Sequence, residues 1–569
     1  MPVALQHRLT HYLALTLIWA TLALPNLGAA SLWDIDEGLN AEAAREMYES
    51  SNWVVPRFNF QLRDAKPALL YWLQAAAYHA FGVNEFAARL PSAVAMLFAA
   101  LAVYELGRSM FSRAVGILAS LALMSCILVS AVAHFANPDA LLLACTCLTF
   151  LAFWRGFAPR QPGEPPRRAW FIPFGIACGL GMLAKGPVAL ALPGLVVLLF
   201  LAWQGQLRYL LDRRLILGAC AFAAVALPWY LMVTIETRGA FARGFFIKNN
   251  IERFVAPNND HRGPIYYHPL VLLVGFAPWS VFVLPTAWYV LRGCFRRPAE
   301  DFRSEGDRPL AAQRLLVCWF VAYLVFFSGA ATKLPGYTLP LYPALALMSA
   351  RFLDGWRRGE FRPHAAVMGY SFLWLLLIGV AVSGGLLVAA GKVAAMPISF
   401  RPIAELGRLA WLGGVMIVGG ALAWALAVFR RRHAALLVLG TTVIPFVAGL
   451  SGLSLPAFNA EKAPSELTAA AGACRRDRDL RLGTFLYFEP SLVFYGQREV
   501  QYFDDDRRAA VFLACPTPAL LALPRTEWAK LSNKVNGRVV ASHWDMYRRC
   551  EIVVVSNEPA PAPAPLAQR

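Results

Sequence analysis

The chain runs in apolar blocks of about twenty residues separated by short polar connections; single apolar and polar positions do not alternate over most of its length. Blocks of this size, wound as α-helix, match the hydrocarbon thickness of a bilayer. They fall at 9–29, 87–107, 114–133, 138–154, 170–184, 187–204, 215–235, 269–291, 315–331, 336–353, 365–390, 409–429 and 433–452. The pattern predicts a polytopic α-helical membrane protein with about 13 transmembrane helices. A shorter apolar run from Pro67 to Phe81, preceded by Lys66, is expected to lie along the interface. Beyond about residue 454 the pattern turns to short segments such as Leu482–Phe488, broken by Gly, Pro and Asp, which predicts a small α/β or β-rich domain. The expected plan is a membrane domain 1–453, a soluble domain 454–558 and a disordered Pro-Ala tail 559–569.

Composition narrows the function class. Of 569 residues, 58% are hydrophobic and 15% charged, and the mean hydropathy is +0.49. A soluble enzyme, a disordered chain, a collagen-like fibre and a disulfide scaffold are all excluded by these values. The net charge of +18 would suggest nucleic acid in a soluble protein. Here the basic residues collect in alternate loops: Arg8; Arg108 and Arg113; Arg155, Arg160, Arg167 and Arg168; Arg208, Arg213 and Arg214; Arg292, Arg296 and Arg297; Arg357, Arg358 and Arg362; Arg430, Arg431 and Arg432. The positive-inside rule makes those loops cytoplasmic, so the charge reports topology and no nucleic acid is expected. The opposite, periplasmic face then receives loops 30–86 and 236–268 and the C-terminal domain. Gly28-Ala-Ala-Ser31 also resembles a signal-peptide cleavage site, and the loop after it faces outside on either reading. Seven of the ten cysteines lie in or beside spans as apolar packing, and Cys474, Cys515 and Cys550 leave room for one outer disulfide.

Charged side chains gather at the outer ends of the spans: Asp34, Asp36, Glu37, Lys66, Asp139, Lys185, Arg253, His261, Arg262 and Lys333. A transporter would place carboxylates along a path through the membrane. Clustering at one face points instead to chemistry at the membrane surface. Trp33-Asp34-Ile35-Asp36-Glu37 concentrates three carboxylates that can act as base, orient an acceptor, balance an oxocarbenium charge or hold a divalent metal. The alternative is an N-cap, with Asp36 capping a helix over 37–50. Arg63, Lys66, Tyr71 and Trp72 follow, where Lys66 can meet a lipid phosphate or merely snorkel. The second outer loop supplies Arg253, His261, Arg262, Tyr266 and Tyr267, and a third turn supplies Lys333 and Tyr337. Cations and carboxylates together beside lipid suit transfer from a lipid phosphate donor.

In order along the chain, Trp33–Glu37, Lys66-Pro67 with Tyr71-Trp72, Leu183-Ala-Lys185-Gly186-Pro187, His261-Arg262 with Pro264 and Tyr266-Tyr267, and Lys333-Leu-Pro335 with Tyr337 resemble the bacterial aminoarabinose transferases. These are relatives of the protein O-mannosyltransferases. The resemblance implies the membrane-embedded GT-C fold and an inverting glycosyltransferase dependent on polyprenyl-phosphate sugar. It further implies transfer of 4-amino-4-deoxy-L-arabinose from undecaprenyl phosphate to lipid A, at the periplasmic face of the inner membrane, with resistance to polymyxin-like peptides. Carried over, Asp36 is the principal catalytic carboxylate, with Glu37 beside it and Asp139 as a second carboxylate near the cavity. Lys66 and Arg262 or Arg253 are ligands of the carrier phosphate. Arg63, Tyr71, His261 and Lys333 are counted as substrate-binding, and Tyr337 as the tyrosine of a closing loop. The chain departs from the family pattern at Leu39, Arg63, Ala65 and Asn250. Ala65 and Asn250 stand where a Glu and a nearby His are usual, which weakens the case for a bound divalent metal. A different sugar placed on lipopolysaccharide core or on protein is the alternative enzyme reading, and a lipid-flipping transporter the non-enzymatic one.

Overall fold

The computed structural model describes residues 3–159, 167–252, 263–294, 307–392, 401–473 and 479–559. Helix α1 (Val3–Ala23) is followed by α2 (Asp36–Ser50), a small hairpin β1 (Arg57–Phe58) and β2 (Gln61–Leu62), and α3 (Leu69–Phe81). The bundle continues through α4 (Glu85–Met110), α5 (Arg113–Met124), α6 (Ile127–Ala133), α7 (Pro138–Phe157), α8 (Phe171–Ala184), α9 (Val188–Trp203) and α10 (Leu215–Glu236). Helices Tyr267–Gly275, Val283–Cys294, Asp307–Gly329, Tyr342–Arg358, Ala365–Ala389, Trp411–Val428 and Arg432–Ser454 complete it. Local sequence starts several of these: Asn84 accepts the Ala87 N–H at 2.9 Å, and Asn137 accepts the Asp139 N–H at 2.7 Å with Pro138 in the first turn.

Every apolar block of the sequence is helical in whole or part, but the expected thirteen crossings are not reached by length and apolarity. Among the described residues seven helices qualify, or nine if the bent pairs Arg113–Met124 with Ile127–Ala133 and Tyr267–Gly275 with Trp279–Cys294 each count once. Helices Arg168–Ala184 and Val188–Trp203 are apolar but short. Helix Tyr342–Arg358 carries basic residues in its last turn and is almost wholly buried, so it packs inside the bundle more than it faces lipid. The small-residue cleavage-like stretch is also a packing device. Gly28 abuts Phe86, where a Cβ would lie 2.8 Å from the Phe86 Cβ.

Helix α4 orders the two ends of the bundle. At one end Glu105 gathers Arg8 and Arg108, each at 2.8 Å, together with Arg155 and the Tyr12 hydroxyl at 2.6 Å. Three basic segments predicted to share a side therefore meet on one carboxylate. At the other end Glu85 accepts the Tyr495 hydroxyl at 2.9 Å, tying the bundle to the C-terminal region. Between them the core closes by direct contact, as where Phe150 stacks on Trp319 at 4.0 Å and the Trp319 indole donates to the Pro340 carbonyl at 2.8 Å. Buried polar groups at this depth have no water to turn to, so such internal partners are required.

The C-terminal region carries a five-stranded sheet of β3 (Arg481–Phe485), β4 (Val500–Phe503), β5 (Ala519–Pro524), β6 (Arg538–Asp545) and β7 (Cys550–Ser556), in the order β4-β3-β5-β7-β6. The first three strands pair in parallel and the last two antiparallel. Parallel pairing needs crossovers, and helices Pro490–Gly496 and Asp506–Ala514 supply them. Cys515 and Cys550 are both free thiols, and Cys474 lies outside the described residues.

Candidate active site

The acidic strap Trp33–Glu37 lies where the bundle, the first outer loop and the sheet domain meet, and its three carboxylates have different fates. Glu37 is buried, and both oxygens are fully engaged. Oε1 accepts Arg89 Nε at 2.9 Å and the Ala136 N–H at 2.6 Å; Oε2 accepts Arg89 Nη2 and the Trp33 N–H, each at 2.8 Å. Asp34 turns to the sheet domain, accepting the Ser491 N–H at 2.7 Å and the Ser491 hydroxyl. Burial pushes the Asp34 carboxyl up to about 7, against the pull of the Ser491 hydrogen bonds. Asp36 alone is exposed, and its carboxylate makes no hydrogen bond or ion pair with a described residue. The N-cap alternative is corrected here: α2 begins at Asp36 itself, behind Ile35, without a side-chain cap.

Around Asp36 the first turn of α2 meets the segment that precedes α3. Arg63 is buried, donating Nε to the Tyr71 hydroxyl at 2.8 Å and Nη2 to the Asn40 side-chain oxygen at 3.0 Å. Burial raises the Tyr71 phenol above its usual range; Arg63 opposes the rise and the charge of Asp36 adds to it. Asn40 in turn donates to the Ala136 carbonyl at 3.0 Å. Glu37 and Asn40 thus pin both polar groups of Ala136, three residues before Asp139. Lys66 sits half-buried on the turn ahead of Pro67. The neighbouring Ala68 packs among Leu183, Trp229 and Phe245, which brings the Lys66 turn up to the Leu183–Pro187 segment.

A second cluster forms at the start of α7. Asp139 pairs with Lys185 at the end of α8, and the Lys185 ammonium lies 5.4 Å from the centre of the Tyr337 ring. Gly336 comes so close that a Cβ there would sit 2.5 Å from Asp139 Oδ2. Tyr337 also packs on Phe327, ring centres 5.2 Å apart. Lys333, counted among the substrate-binding residues, is engaged within the chain. It is buried and donates to the carbonyls of Ser328 at 2.6 Å and Phe327 at 3.5 Å, closing the end of the helix before it. Burial lowers its ammonium below the usual range. Arg253, His261 and Arg262 lie outside the described residues.

The structure thus unites Asp36, Arg63 and Tyr71 in one group and Asp139 and Tyr337 in another, joined through Ala136. It adds Lys185, Arg89, Asn40 and Ser491, which sequence reasoning left off the site. Lys185 had a signal, as an outer cation inside a shared motif; Arg89 and Ser491 had none. The metal reading fares poorly on geometry. Asp34 and Glu37 are turned away from Asp36, and no three His, Cys, Asp or Glu side chains converge among the described residues. The carboxylates described do not form a metal site. What remains is an exposed carboxylate on an otherwise locked strap, with Tyr71 and its partner Arg63 close to it at the edge of an apolar bundle.

Comparison with known proteins agrees with this architecture. The family model for dolichyl-phosphate-mannose-protein mannosyltransferases matches residues 65–231. The undecaprenyl phosphate-α-4-amino-4-deoxy-L-arabinose arabinosyl transferase of Erwinia tasmaniensis is 32% identical over 342 residues, 59% of this chain and 58% of that protein. A counterpart in Proteus mirabilis is 33% identical over 346 residues, again 59% and 58%. The matched stretch therefore spans little more than half the length of these relatives. Among solved structures, ArnT from Cupriavidus metallidurans bound to undecaprenyl phosphate aligns with a TM-score of 0.80 at 23% identity, covering 98% of this chain and 99% of that one. Its apo form gives 0.78. The chain is a multi-pass helical membrane protein with the ArnT-like GT-C fold.

Proposed function

We propose that the protein is an inverting glycosyltransferase that moves 4-amino-4-deoxy-L-arabinose from undecaprenyl phosphate to a phosphate of lipid A. On this reading the reaction takes place at the periplasmic face of the bacterial inner membrane and weakens binding of polymyxin-like peptides. The observation that carries the reading is Asp36: the one exposed carboxylate of three, on a strap whose neighbours are locked. The similarity to the Erwinia and Proteus transferases supports the choice of donor and sugar.

In the reaction a lipid A phosphate oxygen attacks the anomeric carbon, and the bond from that carbon to the carrier phosphate oxygen breaks. The electron pair leaves with undecaprenyl phosphate. The acceptor is already ionised at neutral pH, so no proton need be removed, and Asp36 orients the sugar and balances its oxocarbenium charge. Lys66, with Arg253 or Arg262 of the second outer loop, holds the departing phosphate. Arg63 and Tyr71 shape the floor under Asp36, and Tyr337 with Lys185 closes over the donor. Glu37 and Asp139 serve as positioning residues, through Arg89 and Lys185. His261 adds to the cationic rim, while Lys333 acts from within the chain, fixing the helix end before Tyr337 through the Ser328 and Phe327 carbonyls.

Deleting the gene in its host and weighing intact lipid A under polymyxin-inducing conditions tests this. Loss of the species heavier by one aminopentose is expected, restored by wild type and not by Asp36→Asn. Unchanged lipid A would overturn the acceptor and sugar and direct the search to core sugars or glycoproteins.

A further inference from the structure

Residues 31–34 are held largely by side chains from beyond residue 454, with the bundle sharing in the hold through Arg89 at the Ser31 carbonyl, 3.1 Å, and Glu37 at the Trp33 N–H, 2.8 Å. Lys462 donates to the Ser31 carbonyl at 2.7 Å and lies 3.9 Å from the centre of the Trp33 ring. The Leu32 N–H donates to the Tyr495 hydroxyl oxygen at 2.7 Å, and the Asp34 N–H to that of Tyr547 at 3.1 Å. Ser491 completes the set through the two hydrogen bonds that Asp34 accepts. On the far side of Asp36 the hold belongs to the bundle, where Glu37 is fixed by Arg89 and Ala136. Asp36 and Ile35 therefore form a two-residue bridge between a carboxylate anchored in the sheet domain and one anchored in the membrane helices. Gly38 makes the junction tight, since a Cβ there would lie 2.5 Å from the Ser491 nitrogen.

We propose that the sheet domain is part of the catalytic apparatus, with Ser491 and Asp34 as positioning residues that hold Asp36 in register with the membrane-embedded half of the site. The inference rests on the proposed glycosyl transfer with Asp36 as its carboxylate. A bridge of two residues anchored at both ends leaves little freedom for the side chain between. Releasing one end lets Asp36 wander by an ångström or more, and a misplacement of that size costs about a hundredfold in rate. Donor binding, made by groups on other segments, is left alone.

Three variants assayed for transfer, one of them a control, separate positioning from chemistry. Asp34→Ala removes both acceptors and is expected to lower kcat about tenfold to a hundredfold with KM for the lipid-linked donor unchanged. Asp34→Asn keeps a carbonyl oxygen for the Ser491 N–H and offers an amide N–H to its hydroxyl, so it is expected to retain at least half the activity. Lys530→Ala, at an exposed pair with Glu527 on the same domain, is the control and leaves transfer unchanged. Hydrogen–deuterium exchange over residues 32–39 is read in parallel, and should rise in Asp34→Ala and Ser491→Ala while the strands of the sheet stay protected. Full transfer by Asp34→Ala, or a raised donor KM with kcat intact, overturns the inference; so does Asp34→Asn as inactive as Asp36→Asn. If wild type transfers no sugar from any polyprenyl phosphate, the proposed function fails. The exchange experiment then still decides whether the domain holds the strap, and unchanged exchange in both variants overturns that independently.

Discussion

Asp36 and Glu37 are adjacent carboxylates, and the structure separates them by what each would lose on neutralisation. Glu37→Gln replaces one acceptor oxygen by an NH2 group. Whichever way the amide turns, it faces two donors: either Arg89 Nε and the Ala136 N–H, or Arg89 Nη2 and the Trp33 N–H. The substitution also leaves the Arg89 guanidinium, 1% exposed, without its ion-pair partner, with the carbonyls of Leu27, Ala30 and Ser31 as its remaining hydrogen-bond acceptors among the described residues. Breaking a buried ion pair from one side costs about 3–5 kcal/mol, so Glu37→Gln should be strongly destabilising. Asp36→Asn, on an exposed side chain without a hydrogen-bond or ion-pair partner among the described residues, should change stability by less than about 0.5 kcal/mol. Thermal unfolding of the two variants in detergent, followed by intrinsic fluorescence, makes the comparison alongside transfer activity. A melting temperature several degrees lower for Glu37→Gln and unchanged for Asp36→Asn is expected. A Glu37→Gln protein as stable as wild type yet inactive would refute the assignment of Glu37 to the scaffold and return it to the chemistry.

Burial raises Asp34 to about 7 and Glu489 to about 8, the latter helped by the charges of Asp34 and Asp545, and it lowers Lys462 to about 7. Arg548, 3.4 Å from Glu489, opposes the rise there. The two carboxyls hold protons in the folded protein that the unfolded chain releases from about pH 4 upward, so stability falls with pH up to about 8; Lys462 works in the opposite sense from about 7 to 10.5, so stability recovers with pH. Docking of the sheet domain should therefore be weakest near pH 7–8, read as a maximum in exchange over residues 31–39, and Asp34→Asn should shallow the acid limb; a monotonic profile would contradict this. Lys185→Met removes the partner of Asp139 and should lower kcat/KM about tenfold or more, and combining it with Asp139→Asn should cost no more than either change alone; additive losses would separate the two residues. Gly186 has φ +108°, and a Cβ there would lie 2.6 Å from Phe245, so Gly186→Ala should destabilise by about 1–3 kcal/mol, measured by melting temperature.

The order of apolar blocks determined that the chain is a bundle of membrane helices, because a helix in lipid must carry its own hydrogen bonds and an apolar surface along about twenty residues. That requirement is local and is written in consecutive positions. Three of the basic segments come together in the fold, where Arg8, Arg108 and Arg155 meet on Glu105. The crossing count was less legible. The apolar stretch 336–353 runs into helix Tyr342–Arg358, which is buried in protein along most of its length, and hydropathy does not distinguish that from lipid contact. The candidate site divides along the same line. Chain position placed three carboxylates within four residues and marked their neighbourhood as chemical. Only the fold decided their fates: Glu37 is claimed by Arg89, 52 residues away, and Asp34 by Ser491, 457 residues away. Asp36 was left facing outward. Partners at such separations leave no periodicity or spacing in the sequence, since a hydrogen bond depends on where two groups arrive in space and not on the path of the chain between them.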